Sequence, residues 1–148
     1  TRRSDATNVF AHTMYAVDAC EKDLVLRLSI LFHDCGKHQT MTCDARGNIH
    51  FFGHEKVSSD VARKHLTNLK FPKTTIDTVS HLILHHMFDA SPLLKPAAVK
   101  RLIRKVGKEY VDRLIKLREA DRRGTTEKIS MRKIELLKRK IKRELNNV

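Results

Sequence analysis

The chain has no tryptophan, only 5% aromatic residues, few acidic groups relative to basic ones, and no long hydrophobic run. Each shortage excludes something. A bilayer-spanning helix needs roughly 20 consecutive apolar residues, so none is expected, and no charged-then-apolar leader opens the chain; a soluble protein with no membrane partner follows. With so few flat rings, base-stacking platforms are not expected, and any contact with RNA would run through phosphates and weaken steeply with salt. The cysteines, Cys20, Cys35 and Cys43, are odd in number and form no C-x-x-C pair, which supports neither a disulfide framework nor a zinc ribbon and favours a reducing, cytoplasmic setting. Lys and Arg number 30 against 17 Asp and Glu, a net charge of +13 that favours polyanionic partners such as nucleic acid or phosphorylated substrates. The opening Thr1 in place of Met suggests a processed product or a piece of something longer.

At 148 residues one compact domain spanning 1–148 is expected, since the chain is long enough for one core and too short for two. Helical periodicity dominates it. Val9 to Ala19 reads as a helix with Asn8 or Thr7 as N-cap, and Lys22 to Phe32 as a denser, more buried one ending near Gly36. Lys37 to Gly53 is polar and reads as a loop with a brief extended piece and an exposed tip. Helical spacing resumes from His54 to Leu69, where Pro72 is expected to end it, and again from Thr75 to Met87. A basic amphipathic segment from Ala97 to Val106 is closed by Gly107; Tyr110 to Ala120 follows, and after Gly124 a charged helix runs from about Lys128 toward Leu145. The fold class is all-α: a compact helical bundle with its core over about 8–124 and a basic C-terminal helix over about 128–145.

Nine histidines are present, and His12, His33, His54, His85 and His86 sit beside apolar residues at predicted helix starts or ends. In "LSILFHDCGK" the adjacent His33 and Asp34 point about 100° apart on an ideal helix, yet both can reach one ion where the helix end abuts it. Imidazole and carboxylate are a matched pair for a divalent metal, and burying them is compensated only by a metal or a full set of hydrogen bonds. The plainer alternative is a helix-terminal histidine beside a solvated aspartate. His81 and His85, four apart, can also hold zinc, although no third ligand accompanies them and a solvated face suits His81 better. His38, His50 and His65 read as surface or packing residues, and Cys35 as a small buried hydrophobe.

In order along the chain, "FAHTMYAVDAC", "LSILFHDCGK", "NIHFFGHEKVSSDVARKHLTNLKFP", "HLILHHM" and "LREADRRG" resemble the successive motifs of the HD-domain metal-dependent phosphohydrolase superfamily. The closest resemblance is to the HD domain of bacterial CCA-adding tRNA nucleotidyltransferases and their poly(A) polymerase relatives, and it spans about Asn8 to Gly124. It implies a metal set of His12, His33, Asp34 and Asp121. It further implies that His54 and His86 line the substrate phosphate or bind a second ion, with His85 as the substitute for His86. Manganese, iron, cobalt, nickel, zinc and magnesium all suit such donors. On this reading Asp34, Lys37, His54 and His86 take part in catalysis on a phosphorylated nucleotide. Lys37 then clamps a phosphate oxygen, unless it simply complements a helix C-terminus; Arg122 and Arg123 read more simply as a solvated basic pair. The glycine-rich turn and paired carboxylates of the CCA-adding catalytic head are absent from this chain, so nucleotide addition is not expected of it. The alternative is an RNA- or tRNA-binding HD module without independent catalysis. For the basic tail, docking on the bundle with a solvated outer face stands beside tracking an RNA backbone or pairing with another chain.

Overall fold

The computed structural model describes residues 8–88, 95–124 and 131–147. Among them the chain is all-α apart from one small hairpin. In order the elements are α1 (Val9–Ala19), α2 (Leu24–Phe32), the single turn α3 (Lys37–Thr40), β1 (Thr42–Cys43), β2 (Ile49–His50), α4 (His54–Asn68), α5 (Lys73–Leu84), α6 (Pro96–Val106), α7 (Lys108–Arg123) and α8 (Met131–Asn146). The expected start of the last helix at Lys128 falls outside the described residues.

Local chemistry sets the element ends. Asp23 caps α2 by accepting from the Leu26 amide at 3.0 Å and also meets Arg113 of α7 at 3.3 Å, so one carboxylate fixes where α2 starts and what it lies against. Asn8, at the start of α1, makes no side-chain capping bond. The loop expected over Lys37 to Gly53 contains α3 as well as the extended piece: Thr42 pairs with His50 and Cys43 with Ile49, antiparallel, around an exposed tip. The end of α4 corrects the sequence reading. Proline is not what stops it: Lys70 adopts a left-handed φ of 60°, its amide donates to the Thr67 carbonyl and the Phe71 amide to that of Leu66, each at 3.0 Å. That is a Schellman ending with lysine where glycine is usual, and Pro72 serves to start α5. The latter stops at Leu84, short of the expected Met87, which frees His85 and His86 from helical geometry.

Packing places α7 at the middle. One flank of it, Leu114, Leu117 and Ala120, meets Ala16 of α1 and Leu26 and Ile30 of α2. The other, Val111 and Ile115, meets Val99 and Ile103 of α6 and Ile134, Leu137 and Ile141 of α8. A further cluster joins α4 to α5 through Ala62, Leu66, Ile76, Val79 and Ile83, backed by Leu28 and Phe32 of α2. Each such Leu or Ile contributes about 1.5–3 kcal/mol on burial, enough to hold the charged α8 against the bundle through three of them.

Two glycines allow close approaches that set the geometry beyond. A Cβ on Gly36 would lie 2.7 Å from the His54 carbonyl oxygen and 2.8 Å from the Ser58 nitrogen, and one on Gly124 would lie 2.8 Å from the Ala16 Cβ and 2.9 Å from the His12 carbonyl oxygen. The first presses the turn after α2 onto the start of α4; the second presses the end of α7 onto α1. Gly36→Ala is therefore expected to force a backbone shift costing about 1–3 kcal/mol and to lower the melting temperature by roughly 5–10 °C. A calorimetric scan showing an unchanged midpoint would contradict the close approach.

Candidate metal centre

Five helix ends and the middle of none supply the side chains. His33 follows α2 directly, Asp34 comes next, His54 opens α4, His86 lies two residues past α5, and Asp121 sits in the last turn of α7; His12, in the first turn of α1, completes the group. Their donor atoms fall into two sets, His12, His33, Asp34 and Asp121, and Asp34, His54 and His86, with all donors of a set within 4.8 Å of one another. His33 Nε2 is 3.1 Å from Asp121 Oδ1 and 3.3 Å from Asp34 Oδ2. His12 Nε2 is 2.9 Å from Asp121 Oδ1 and 3.9 Å from Asp34 Oδ2. The other oxygen of Asp34, Oδ1, faces His54 Nε2 at 3.3 Å and His86 Nε2 at 3.8 Å. One carboxylate thus joins both sets.

Three of the imidazoles are aimed by the same device. His33 Nδ1 donates to the Ile30 carbonyl at 2.6 Å, His86 Nδ1 to that of Ile83 at 2.6 Å, and His54 Nδ1 to that of Phe51 at 3.0 Å. A carbonyl can only accept, so Nδ1 carries the proton in each and Nε2 is turned to the centre, the arrangement that orients metal-ligating histidines. Ile30 and Ile83 also bring the carbonyl ends of α2 and α5, the negative poles of those helices, beside the centre. His85 turns elsewhere: its ring packs on His81 with centroids 4.6 Å apart.

The donor set fits a divalent ion. Ligand atoms held about 2.0–2.2 Å from one ion stand roughly 3–3.6 Å apart, the range that most of these pairs occupy. His54 Nε2 and His86 Nε2 approach to 3.2 Å, a separation that two nitrogen ligands of one ion also adopt.

The family model for the HD domain matches residues 8–126. The chain belongs to the HD domain family. It is 36% identical over 106 residues to the CC-adding tRNA nucleotidyltransferase of Thermus thermophilus, an alignment covering 71% of this chain and 24% of that protein. Over 121 residues it is 30% identical to the A-adding tRNA nucleotidyltransferase of Deinococcus radiodurans, covering 78% of this chain and 27% of that one. The chain spans about a quarter of the length of these curated relatives.

Electrostatics of this HD domain follow from burial. Burial pushes the Asp34 and Asp121 carboxyls up, but hydrogen bonds from His33 and His54 to the first, and from His12 and His33 to the second, hold both well below the usual carboxylate range. Burial pulls His33 down, yet Asp121 and Asp34 outweigh it and raise the imidazole to about 10. His12 is raised as well, chiefly by its bond to Asp121. His86 goes the other way, lowered to about 4 by burial and by the positive His33. Lys37 Nζ lies 2.7 Å from Asp34 Oδ2 and 5.6 Å from the centre of the Phe51 ring, so the residue after Gly36 belongs to the site. Arg123 is exposed and pairs with Glu119 at 3.2 Å. Cys35 is half-buried, with burial raising its thiol.

One residue of the site escaped sequence reasoning. Arg118 Nη1 donates to Asp121 Oδ2 at 3.2 Å, leaving Oδ1 to the histidines, and its guanidinium lies 6.0 Å from the Phe88 ring. It stands one helical turn before Asp121 in "LREADRRG", and an arginine three before a candidate ligand aspartate was the available signal. His81 also departs from expectation. It is half-buried, with Nε2 donating to the Val106 carbonyl at 2.7 Å, so it ties α5 to α6 rather than facing solvent.

Two outcomes are expected. Ligation needs neutral imidazoles, whereas His33 and His12 hold protons when no ion competes, so metal binding should release protons and apparent affinity should rise with pH, by about tenfold per unit for each proton released. Calorimetry in two buffers of different ionisation enthalpy measures this, and pH-independent affinity between 6 and 9 would refute it. Arg118→Met should weaken metal binding by roughly 10–100-fold through loss of Asp121 orientation, as read by competition with a fluorescent chelator.

Proposed function

We propose that this HD domain is a metal-dependent phosphohydrolase that cleaves a phosphomonoester or cyclic phosphodiester of a nucleotide. The observation that carries the reading is the convergence of two donor sets on Asp34, a carboxylate only 3% exposed. His12, His33, Asp34 and Asp121 would hold one divalent ion, with manganese, iron, cobalt, nickel, zinc or magnesium all compatible with the donors. Such an ion supplies a water of lowered pKa and polarises a phosphoryl oxygen.

The remaining work falls to the chain. Asp34 and Asp121 orient and charge-balance the donor cluster, each steadied by a cation, Lys37 at 2.7 Å and Arg118 at 3.2 Å. His54 and His86 either complete a second donor set with Asp34 or present imidazoles to the phosphate. Lys37 is partly exposed and can reach a phosphoryl oxygen at the mouth of the site, where it would neutralise charge that grows in the transition state. Burial of His33, His54 and His86 keeps competing water out and strengthens these interactions.

A second reading rests on the relatives: both act on tRNA by name, and the chain spans about a quarter of each. In that reading it is an RNA- or tRNA-binding HD module of a CCA-adding enzyme without independent catalysis. Metal content and turnover separate the two. Protein loaded in turn with each of the six metals should hydrolyse nucleoside monophosphates or cyclic nucleotides with at least one, and Asp34→Ala should lose bound metal and at least about a hundredfold in rate. Absence of turnover with every metal, together with tRNA binding undiminished in Asp34→Ala, would replace the hydrolase reading with the second.

A further inference from the structure

The net charge of this chain is concentrated. Residues 95–106 and 131–147, which contain α6 and α8, hold twelve of the thirty Lys and Arg but only two of the seventeen Asp and Glu, leaving eighteen basic against fifteen acidic residues elsewhere. These two stretches therefore carry ten of the thirteen excess positive charges. The two helices are also neighbours, packed together through Val99, Ile103, Ile134, Leu137 and Ile141.

Elsewhere several cations sit against acids: Lys56 with Asp60 at 3.1 Å, Arg63 with Asp77 at 2.8 Å, Lys116 with Glu21 at 3.3 Å. On α6 and α8, Lys100 meets Glu144 at 3.6 Å and Lys138 meets Glu119 at 2.6 Å. Arg101 and Lys105 on α6, and Arg139, Lys142 and Arg143 on α8, are exposed and have no acidic partner among the described residues. Side chains three and four apart share a helix face, so each group forms a strip. Like charge on two packed helices is repulsive, and burial of the apolar seam between them offsets that repulsion. A polyanion removes it.

Partner classes can be told apart. An amphipathic helix that lies in a membrane surface inserts its apolar face, but that face of α8, Ile134, Leu137 and Ile141, is already spent on the bundle. A protein partner is held by a desolvated apolar centre, and among the described residues of these two helices Leu136, 40% exposed, is the large apolar side chain on offer. Phosphate contacts need neither.

We propose that α6 and α8 together form a binding face for a nucleic-acid backbone, on two packed helices that contribute no donor to the metal centre. It deepens the tRNA-binding side of the reading above and is independent of hydrolysis. The probe is fluorescently labelled tRNA, followed by anisotropy across a salt series with the full chain. Arg139→Glu/Lys142→Glu/Arg143→Glu should weaken binding by at least about tenfold at 100 mM salt and lower the slope of log affinity against log salt by about two, since each phosphate contact contributes roughly 0.7–0.9. Arg101→Glu/Lys105→Glu should act in the same direction. Lys22→Glu/Lys64→Glu/Lys73→Glu changes net charge by the same amount on exposed positions elsewhere and should alter affinity less than about threefold. The unaltered chain stripped of metal by a chelator should bind tRNA as the untreated chain does, so loss of hydrolysis and loss of this face are read separately. Unchanged melting temperatures of the charge variants exclude unfolding as the cause. Equal weakening by the control triple variant, or binding to 30% phosphatidylserine vesicles with no binding to tRNA, would overturn the proposal.

Discussion

The buried carboxylate of Asp34 is the constraint around which the rest is arranged. At 3% exposure an ionised side chain forfeits most of its hydration, a loss tolerated only when charge and hydrogen bonds replace the water. Lys37, His33 and His54 provide that replacement from three directions. They arrive from the end of α2, the turn beyond it and the start of α4, so satisfying one group requires those segments to meet. Asp121 repeats the arrangement from α7 with His12, His33 and Arg118. Because His33 touches both carboxylates, the two clusters are one network and not two independent ion pairs.

Convergence of that kind demands precise backbone approach, which explains where glycine is used. Gly36 comes two residues after Asp34 and Gly124 three after Asp121, and each sits where a Cβ would collide with the helix that carries a partner histidine. Apolar packing sets the coarse position of α1, α2 and α7; the two glycines remove the last ångström between ligand-bearing segments. The carbonyls of Ile30, Phe51 and Ile83 then fix ring orientation from within the same segments. Backbone, not distant side chains, does the aiming.

Much of this was legible in the sequence, for identifiable reasons. Helix periodicity located every helix longer than one turn, because the burial that drives folding is written into apolar spacing. Element ends were less legible: Lys70 in a left-handed conformation has no marker in residue type, so Pro72 drew the attribution. The His85–His86 ambiguity was a boundary error of the same origin, since facing was judged along a helix that in fact stops at Leu84. A non-periodic signal resolves it. "ILFH" and "ILHH" share an isoleucine three residues before the inward histidine, and in both that carbonyl receives the Nδ1 proton. Arg118 and His81 were missed because their roles depend on Asp121 and Val106, partners that become neighbours only once the chain has folded.

Charge is partitioned as sharply as apolar surface. The donor cluster, with Asp34 and Asp121 set against Lys37, Arg118 and raised histidines, is close to local balance, and its donors come from α1, α4, α7 and the segments following α2 and α5. The excess positive charge stands on α6 and α8, which contribute no donor to it. Had those cations been interleaved around the mouth of the centre, they would compete with a metal ion for the same carboxylates and lower its affinity at low salt. Standing on helices that supply no donor, they leave the two carboxylates to the cluster's own cations, Lys37 and Arg118. The same partition lets a basic surface and a cluster of buried acids and imidazoles coexist in a chain of this size.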